Sequence, residues 1–263
     1  MPSFFRRSVD EFRRQARIAV KLETLQVPQR AYPLIQFDEA DSDKRCKVMT
    51  DKSILGGYST ASLTYVPGAA HTEKPSHVLF KGNINPELPP NRPDVHRSGF
   101  AAWRTRDRGW SLFGKLLWDI DPYSYLALRI KSDGRKYFVN IQTESIVPTD
   151  LHQHLLPSFT PGKWETVWIP FTAFVRTNHG IVVEPQKEML RQVVRSVGIG
   201  LTDRMPGPFE LCIADIYATN REPETEGKSE ESGFALGPYP APGLEHVRAK
   251  QREKKDDPEK ILI

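Results

Sequence analysis

The side chains with the types and spacing to do chemistry fall into a few groups. Glu39, Asp41 and Asp43 in FDEADSDK sit two apart, so an extended segment would turn all three carboxylates the same way and offer oxygens to Ca²⁺. The EF-hand pattern, with its Gly and closing Glu, is missing, and a solvated turn accounts for the same residues. His152 and His154 in DLHQHLL form an H-x-H pair, which on a strand can ligate zinc or copper. Only Asp150 lies close enough in sequence to add a ligand, so a hydrogen-bonded or partner-facing loop is the better reading. Asp119 and Asp121 flank Ile120 and resemble half of a glycosidase site, but a second acid would have to come from elsewhere, and a turn before a strand explains them.

Nucleophiles fare no better. Ser59 and Ser62 lie in a strand-like stretch without G-x-S-x-G, and Cys46 has only Lys44, Arg45 and Lys47 around it. Those basic neighbours would lower a thiol pKa, yet a surface turn accounts for them equally. Gly56 and Gly57 belong to neither G-x-G-x-x-G nor G-x-x-x-x-G-K-[ST], and positive φ before a strand is their simpler use. No catalytic, cofactor-binding or metal-binding residue is assigned. The two cysteines, Cys46 and Cys212, are far apart and form no C-x-x-C, which fits a reducing compartment.

The elements that must position these groups are strands. Apolar residues alternate in short segments bounded by Gly, Pro, Asp and Ser: 34–37, 58–66, 77–84, 98–105, 124–131, 136–143, 164–171, 196–202 and 209–217. Leu126, Leu128 and Ile130 share one face, as do Val139 and Ile141, and the intervening SDGRK reads as a hairpin turn joining the two strands. One helix is expected inside the domain, at 185–195, from Pro185 and the stripe Met189, Leu190, Val193 and Val194. Nine strands with few helices between them predict an all-β fold, an antiparallel two-sheet sandwich of jelly-roll type. Trp164 and Trp168, four apart on one strand, are expected in the core.

Outside the sandwich, expected over 31–220, the composition changes. Residues 1–30 carry seven Lys or Arg against three Asp or Glu, which is the whole formal net charge of +4, so a basic body for nucleic acid is not indicated. SFFRRSVDEFRRQARIAVKLETL reads as an amphipathic helix with Phe5, Val9, Phe12, Ala16 and Ala19 on one stripe. Organelle targeting, a helix lying on an anionic membrane, and a helix packed on the domain remain open readings. Residues 221–263 form a charged segment expected to be mobile until a partner orders it. No apolar run approaches the roughly 18–20 residues that span a bilayer.

One loop stands out. GWSLFGKLLW holds Trp110, Leu112, Phe113, Leu116, Leu117 and Trp118, more large apolar side chains than a connection needs. Either a short helix there seals the sandwich end, or the loop inserts into a membrane interface or a partner groove. The candidate membrane or partner contacts are therefore Phe4, Phe5, Arg6, Arg7, Phe12, Arg13 and Arg14 on the helix, Trp110, Leu112, Phe113, Leu116 and Leu117 on the loop, and His152 and His154.

Six segments in order, GGYSTASL, SGFAAWRT, RKYFVNIQT, WETVWIPF, SVGIGLTD and GPFELCIADIYA, resemble the family of mitochondrial complex I intermediate-associated proteins, fungal-type members in particular. The resemblance spans roughly residues 35–220. It implies a galactose-binding-like sandwich and a non-catalytic assembly chaperone for respiratory NADH:ubiquinone oxidoreductase. The implied partners are other assembly factors and early membrane-arm intermediates, at the matrix side of the inner membrane, with peripheral contact to anionic lipid and no cofactor. A carbohydrate-binding module is the alternative that the fold alone allows.

Overall fold

Alternation places one face of each strand in a shared core, and the strands arrange themselves accordingly in the computed structural model, which describes residues 4–21, 28, 30–68, 74–90, 92–147 and 149–221. A helix, α1 (Phe4–Lys21), comes first, and a helical turn, α2 (Asp51–Ile54), follows the second strand. The strands are β1 (Tyr32–Gln36), β2 (Cys46–Thr50), β3 (Thr60–Val66), β4 (His77–Ile84), β5 (Ala101–Thr105), β6 (Trp110–Ser111), β7 (Gly114–Lys115) and β8 (Tyr125–Ser132). Then come β9 (Tyr137–Thr143), β10 (Asp150–Leu155), β11 (Trp164–Pro170), β12 (Val175–Asn178), β13 (Ile181–Val182), β14 (Val194–Leu201) and β15 (Gly207–Thr219). One sheet runs β11-β8-β15-β4-β3, with β1 also beside β15, and the other β13-β12-β10-β9-β14-β5-β2. The result is an antiparallel two-sheet jelly-roll sandwich.

The inner faces meet in a continuous core. Leu126, Leu128 and Ile130 of β8 and Ile213 and Ile216 of β15 face Val139 and Ile141 of β9 and Val197 and Ile199 of β14, all fully buried. Phe80 packs on Phe209 at 4.9 Å between ring centroids, and Phe37 meets Trp103 edge-on at 5.9 Å. Each such side chain contributes roughly 1.5–3 kcal/mol by leaving water.

Three expectations need correction. The strands flanking SDGRK do not pair: β8 bonds β11 and β15 while β9 bonds β10 and β14, so the turn carries the chain from one sheet to the other. Alternation fixes which face a residue uses but not which strand it pairs with. The helix expected at 185–195 is absent. Val194 begins β14, where a β-branched residue is favoured, Arg191–Val193 makes one 3₁₀ turn, and Leu190 is exposed. Trp164 and Trp168 lie half-buried on the outer face, because Val167 and Ile169 between and beside them take the core positions. Strands β2, β10 and β12 were not expected, their polar residues masking the period. The tail expected over 221–263 lies, beyond Arg221, outside the described residues.

One end of the sandwich is tied by a single carboxylate. Asp51 opens α2 after the Thr50 cap and has no exposed surface. It accepts hydrogen bonds from Ser59 N (2.9 Å), Ser59 Oγ (2.8 Å), Ser98 Oγ (2.8 Å) and Gly99 N (2.7 Å). Ser59 Oγ in turn accepts from Asn85 N at 3.1 Å. Gly57 has no room for a side chain: a β-carbon there would stand 2.7 Å from both Asp51 Cγ and Ser98 Oγ. Burial alone would raise the Asp51 pKa, but the donors from Gly99, Ser98 and Ser59 outweigh it and hold the group below its ordinary value.

Asp51→Ala should therefore cost roughly 3 kcal/mol or more, because several buried donors lose their acceptor together; urea unfolding measures it. A depressed carboxylate pKa contributes stability above the unfolded-state value, about 3.9, and loses it as pH falls through the folded one. The stability gap between the natural chain and Asp51→Asn should thus be widest near neutrality and narrow in acid; a gap independent of pH would contradict this account.

Candidate functional site

Helix α1 has the apolar spacing of an amphipathic helix, yet it docks the wrong way round for a core helix. Arg7, Ser8, Glu11 and Arg14, at helical spacing, are half-buried and turned toward the sandwich. Phe5, Val9 and Phe12, on the opposite side, are exposed, Phe5 by 80%. Arg6 and Arg13 are exposed beside that apolar stripe. The buried stripe is stabilised by charge: Arg14 donates to Glu11 at 2.8 Å, with Gln15 donating at 3.0 Å. The hydrogen bond from Arg14 holds the Glu11 carboxyl below its ordinary value, against partial burial.

The surface that receives the helix is the loop 107–118, which forms a small hairpin rather than the sealing helix that was one reading. Strands β6 and β7 pair through Trp110 and Lys115, and Gly114 takes φ +102 at the turn. Phe113 N donates to Ser111 Oγ at 3.2 Å, closing the tip. The root is fixed to the second sheet, since Trp118 N donates to Val194 O at 2.8 Å and Val194 N to Trp118 O at 3.0 Å. Helix and tip are joined directly: Leu112 N donates to Ser8 Oγ at 3.0 Å, and Phe12 stacks on Phe113 at 6.3 Å.

Phe5, Val9, Phe12, Trp110, Leu112 and Phe113 are all exposed, Leu112 by 75%. With the helix and the hairpin tip held together, they make one apolar surface flanked by Arg6 and Arg13. Exposed apolar area of this kind, with basic residues at its edge, suits a membrane interface or an apolar partner.

The structure divides the sequence-derived candidates. Phe4, Phe5, Phe12, Arg6, Arg13, Trp110, Leu112 and Phe113 lie on the surface. Arg7 and Arg14 face inward, Leu116 and Leu117 are half-buried, and Trp118, expected to be exposed like Trp110, is 6% exposed in the core. His152 is 5% exposed and pairs across from Ile141 on the core-facing side of β10, so it offers a partner little surface. His154 packs half-buried on Phe174 at 5.6 Å. Burial lowers both imidazole pKa values. Among the described residues no three His, Cys, Asp or Glu side chains gather as a metal site. Ser59 is spent on Asp51, and burial pushes the Cys46 thiol up to about 12, far from a nucleophile's range. Ser8, which couples helix to hairpin, had no sequence signal at all.

Comparison with known proteins adds the ancestry. The family description "Complex I intermediate-associated protein 30" matches residues 35–213. This chain belongs to the complex I intermediate-associated protein 30 family. A relative so named, mitochondrial, from Neurospora crassa is 47% identical, over 83% of this chain and 84% of its own. A mouse relative of the same name is 30% identical, over 77% of this chain and 60% of its own. Among solved structures, a family 11 carbohydrate-binding module of Clostridium thermocellum superposes with a TM-score of 0.50 at 13% identity, covering 74% of this chain and 96% of that one. At that identity the likeness is one of fold. The hairpin lies inside the stretch matched by the complex I intermediate-associated protein 30 family, and α1 lies before it.

Replacing Ser8 by Ala together with Phe113 by Ser should free α1 while leaving the sandwich intact. Amide hydrogen exchange across the helix should quicken while the thermal midpoint moves by only a few degrees. A collapse of the midpoint would instead make the hairpin part of the core.

Proposed function

We propose that this chain is a non-catalytic assembly chaperone for mitochondrial respiratory complex I. It binds early membrane-arm intermediates and other assembly factors at the matrix side of the inner membrane, and touches that membrane only peripherally. Family membership supports the assembly role, as do the names of the relatives. The observation that carries the mode of action is the outward apolar stripe of α1, continued by Leu112 and Phe113 at the hairpin tip.

In this reading the sandwich is a rigid platform. The apolar surface covers exposed apolar area on newly inserted subunits, and Arg6 and Arg13 add attraction to anionic lipid, at about 1 kcal/mol per basic residue near the membrane. No helix among the described residues is long and apolar enough to cross a membrane. Binding supplies the free energy, and no bond is made or broken. The resemblance to carbohydrate-binding modules is confined to fold and brings no ligand with it.

Tagged chain, purified from gently solubilised mitochondria and resolved on native gels with mass spectrometry, should migrate with complex I membrane-arm subunits and be missing from the mature enzyme. The triple variant Phe5→Ser, Phe12→Ser, Leu112→Ser should keep its melting temperature and lose that migration. Recovery of the chain alone would refute the assembly role, whereas undiminished migration of the triple variant would refute the surface.

A further inference from the structure

The polar stripe of α1 does not sit flush on the sandwich. Between them lies a cavity of about 500 Å³, bounded by the helix, by β1, and by the end of β5 with the loop after it. Arg7, Arg14, Arg45, Arg106 and Arg108 line it, against the carboxylates Asp10, Glu11 and Asp107. Arg14 and Glu11 satisfy one another at 2.8 Å, and Asp107 is engaged by Arg195 at 2.7 Å and Arg104 at 3.3 Å. Asp38 stands 3.8 Å from Arg45. Arg7, Arg106 and Arg108 have no carboxylate ion-pair partner among the described residues.

These three guanidinium groups are oriented by neutral partners, although Arg108 is also near enough to Glu11 to help hold that carboxyl ionised. Arg106 Nε donates to the carbonyls of Lys44 and Cys46, both at 3.0 Å. Arg108 donates to Leu117 O at 3.1 Å and lies over the Trp118 ring at 5.3 Å. Arg7 Nε is buried and has no acceptor. Its guanidinium lies against Gly109, where a β-carbon would come within 2.3 Å of Nη1 and where φ is +93, so a side chain at 109 would both strain the backbone and evict the arginine. The remaining wall includes Leu116 and Trp118.

Three unpaired planar donors converging on one cavity match a phosphate, whose several oxygens and double charge can fill more than one guanidinium fork, better than a single carboxylate can. An apolar wall beside them favours a ligand with an apolar or planar body. We propose that this cavity binds a phosphate-bearing organic anion, its phosphate on Arg7, Arg106 and Arg108 and its body against Leu116 and Trp118. This goes beyond the assembly role and does not depend on it. A lipid headgroup and a soluble phosphoester share the chemistry.

Isothermal titration of the full chain with inorganic pyrophosphate tests the arginine site. Binding should weaken as salt rises. It should fall about tenfold or more in Arg7→Gln and in Arg108→Gln, and persist in Arg129→Gln, on β8 and outside the cavity lining. Arg106 also holds two carbonyls, so Arg7→Gln, on a surface helix with an unchanged melting temperature expected, is the deciding variant. Short-chain phosphatidate and phosphatidylcholine vesicles with or without phosphatidate then separate the sources. Phosphatidate-dependent vesicle recruitment that Arg7→Gln abolishes identifies a headgroup, and binding of soluble probes without recruitment identifies a soluble phosphoester. No heat with pyrophosphate or phosphatidate, or pyrophosphate binding unchanged in Arg7→Gln, overturns the proposal.

Discussion

The sandwich is held at one end by a carboxylate that never sees water. Asp51 follows β2 of one sheet, Ser59 precedes β3 of the other, Ser98 and Gly99 lead into β5, and Asn85 follows β4. A single buried charge is tolerable because several oriented donors replace its hydration, and those donors come from two connections, β2 to β3 and β4 to β5. Long connections on a β scaffold would otherwise cost ordering entropy with little apolar burial to offset it. Arg135 makes the matching tie elsewhere, forking onto Asp203 at 2.9 and 2.7 Å and capping Gly207 O and Pro208 O. Both ties fix which loops lie together, and so fix where the strands they join must run.

Much of this was legible. The β character, the sandwich and most strand positions followed from a period of two, since a half-buried strand cannot hide that pattern. The segments that carry the family resemblance prove to be architectural: Gly57 and Ser59 of GGYS and the Ser98–Gly99 pair of SGF serve Asp51, while the Asp203 that closes SVGIGLTD serves Arg135. What stayed hidden was pairing. Nothing local distinguishes a hairpin turn from one that crosses between sheets, and Asp133–Gly134 serves both, so the partners of β8 and β9 were settled by the core and not by the turn. Strand β10 was missed because in DLHQHL the apolar residues, Leu151 and Leu155, fall on the outer face and Asp150 and the histidines on the inner one, so only burial of His152 shows the period.

The contact surface was half legible for a related reason. Sequence gives the two stripes of an amphipathic helix but not which one meets the protein. Here Glu11 and Arg14 turn inward because the sandwich offers a charged cleft there, with Arg106 and Arg108, in place of an apolar groove. The apolar stripe is left outside, where Phe12 stacks on Phe113. In the hairpin, six large apolar residues divide the work: Trp118 roots the loop in the core, and Leu112 and Phe113 stay in water.

This inverted docking has a thermodynamic signature. Heat capacity on unfolding comes mainly from newly wetted apolar surface, and the Phe5, Val9 and Phe12 side chains are already wet. Release of α1 from the sandwich would therefore be nearly silent in a calorimeter, while its capture by a membrane or a subunit would register as a negative heat-capacity change. The helix contributes little heat-capacity change to the fold that carries it and holds that change in reserve for the surface it meets.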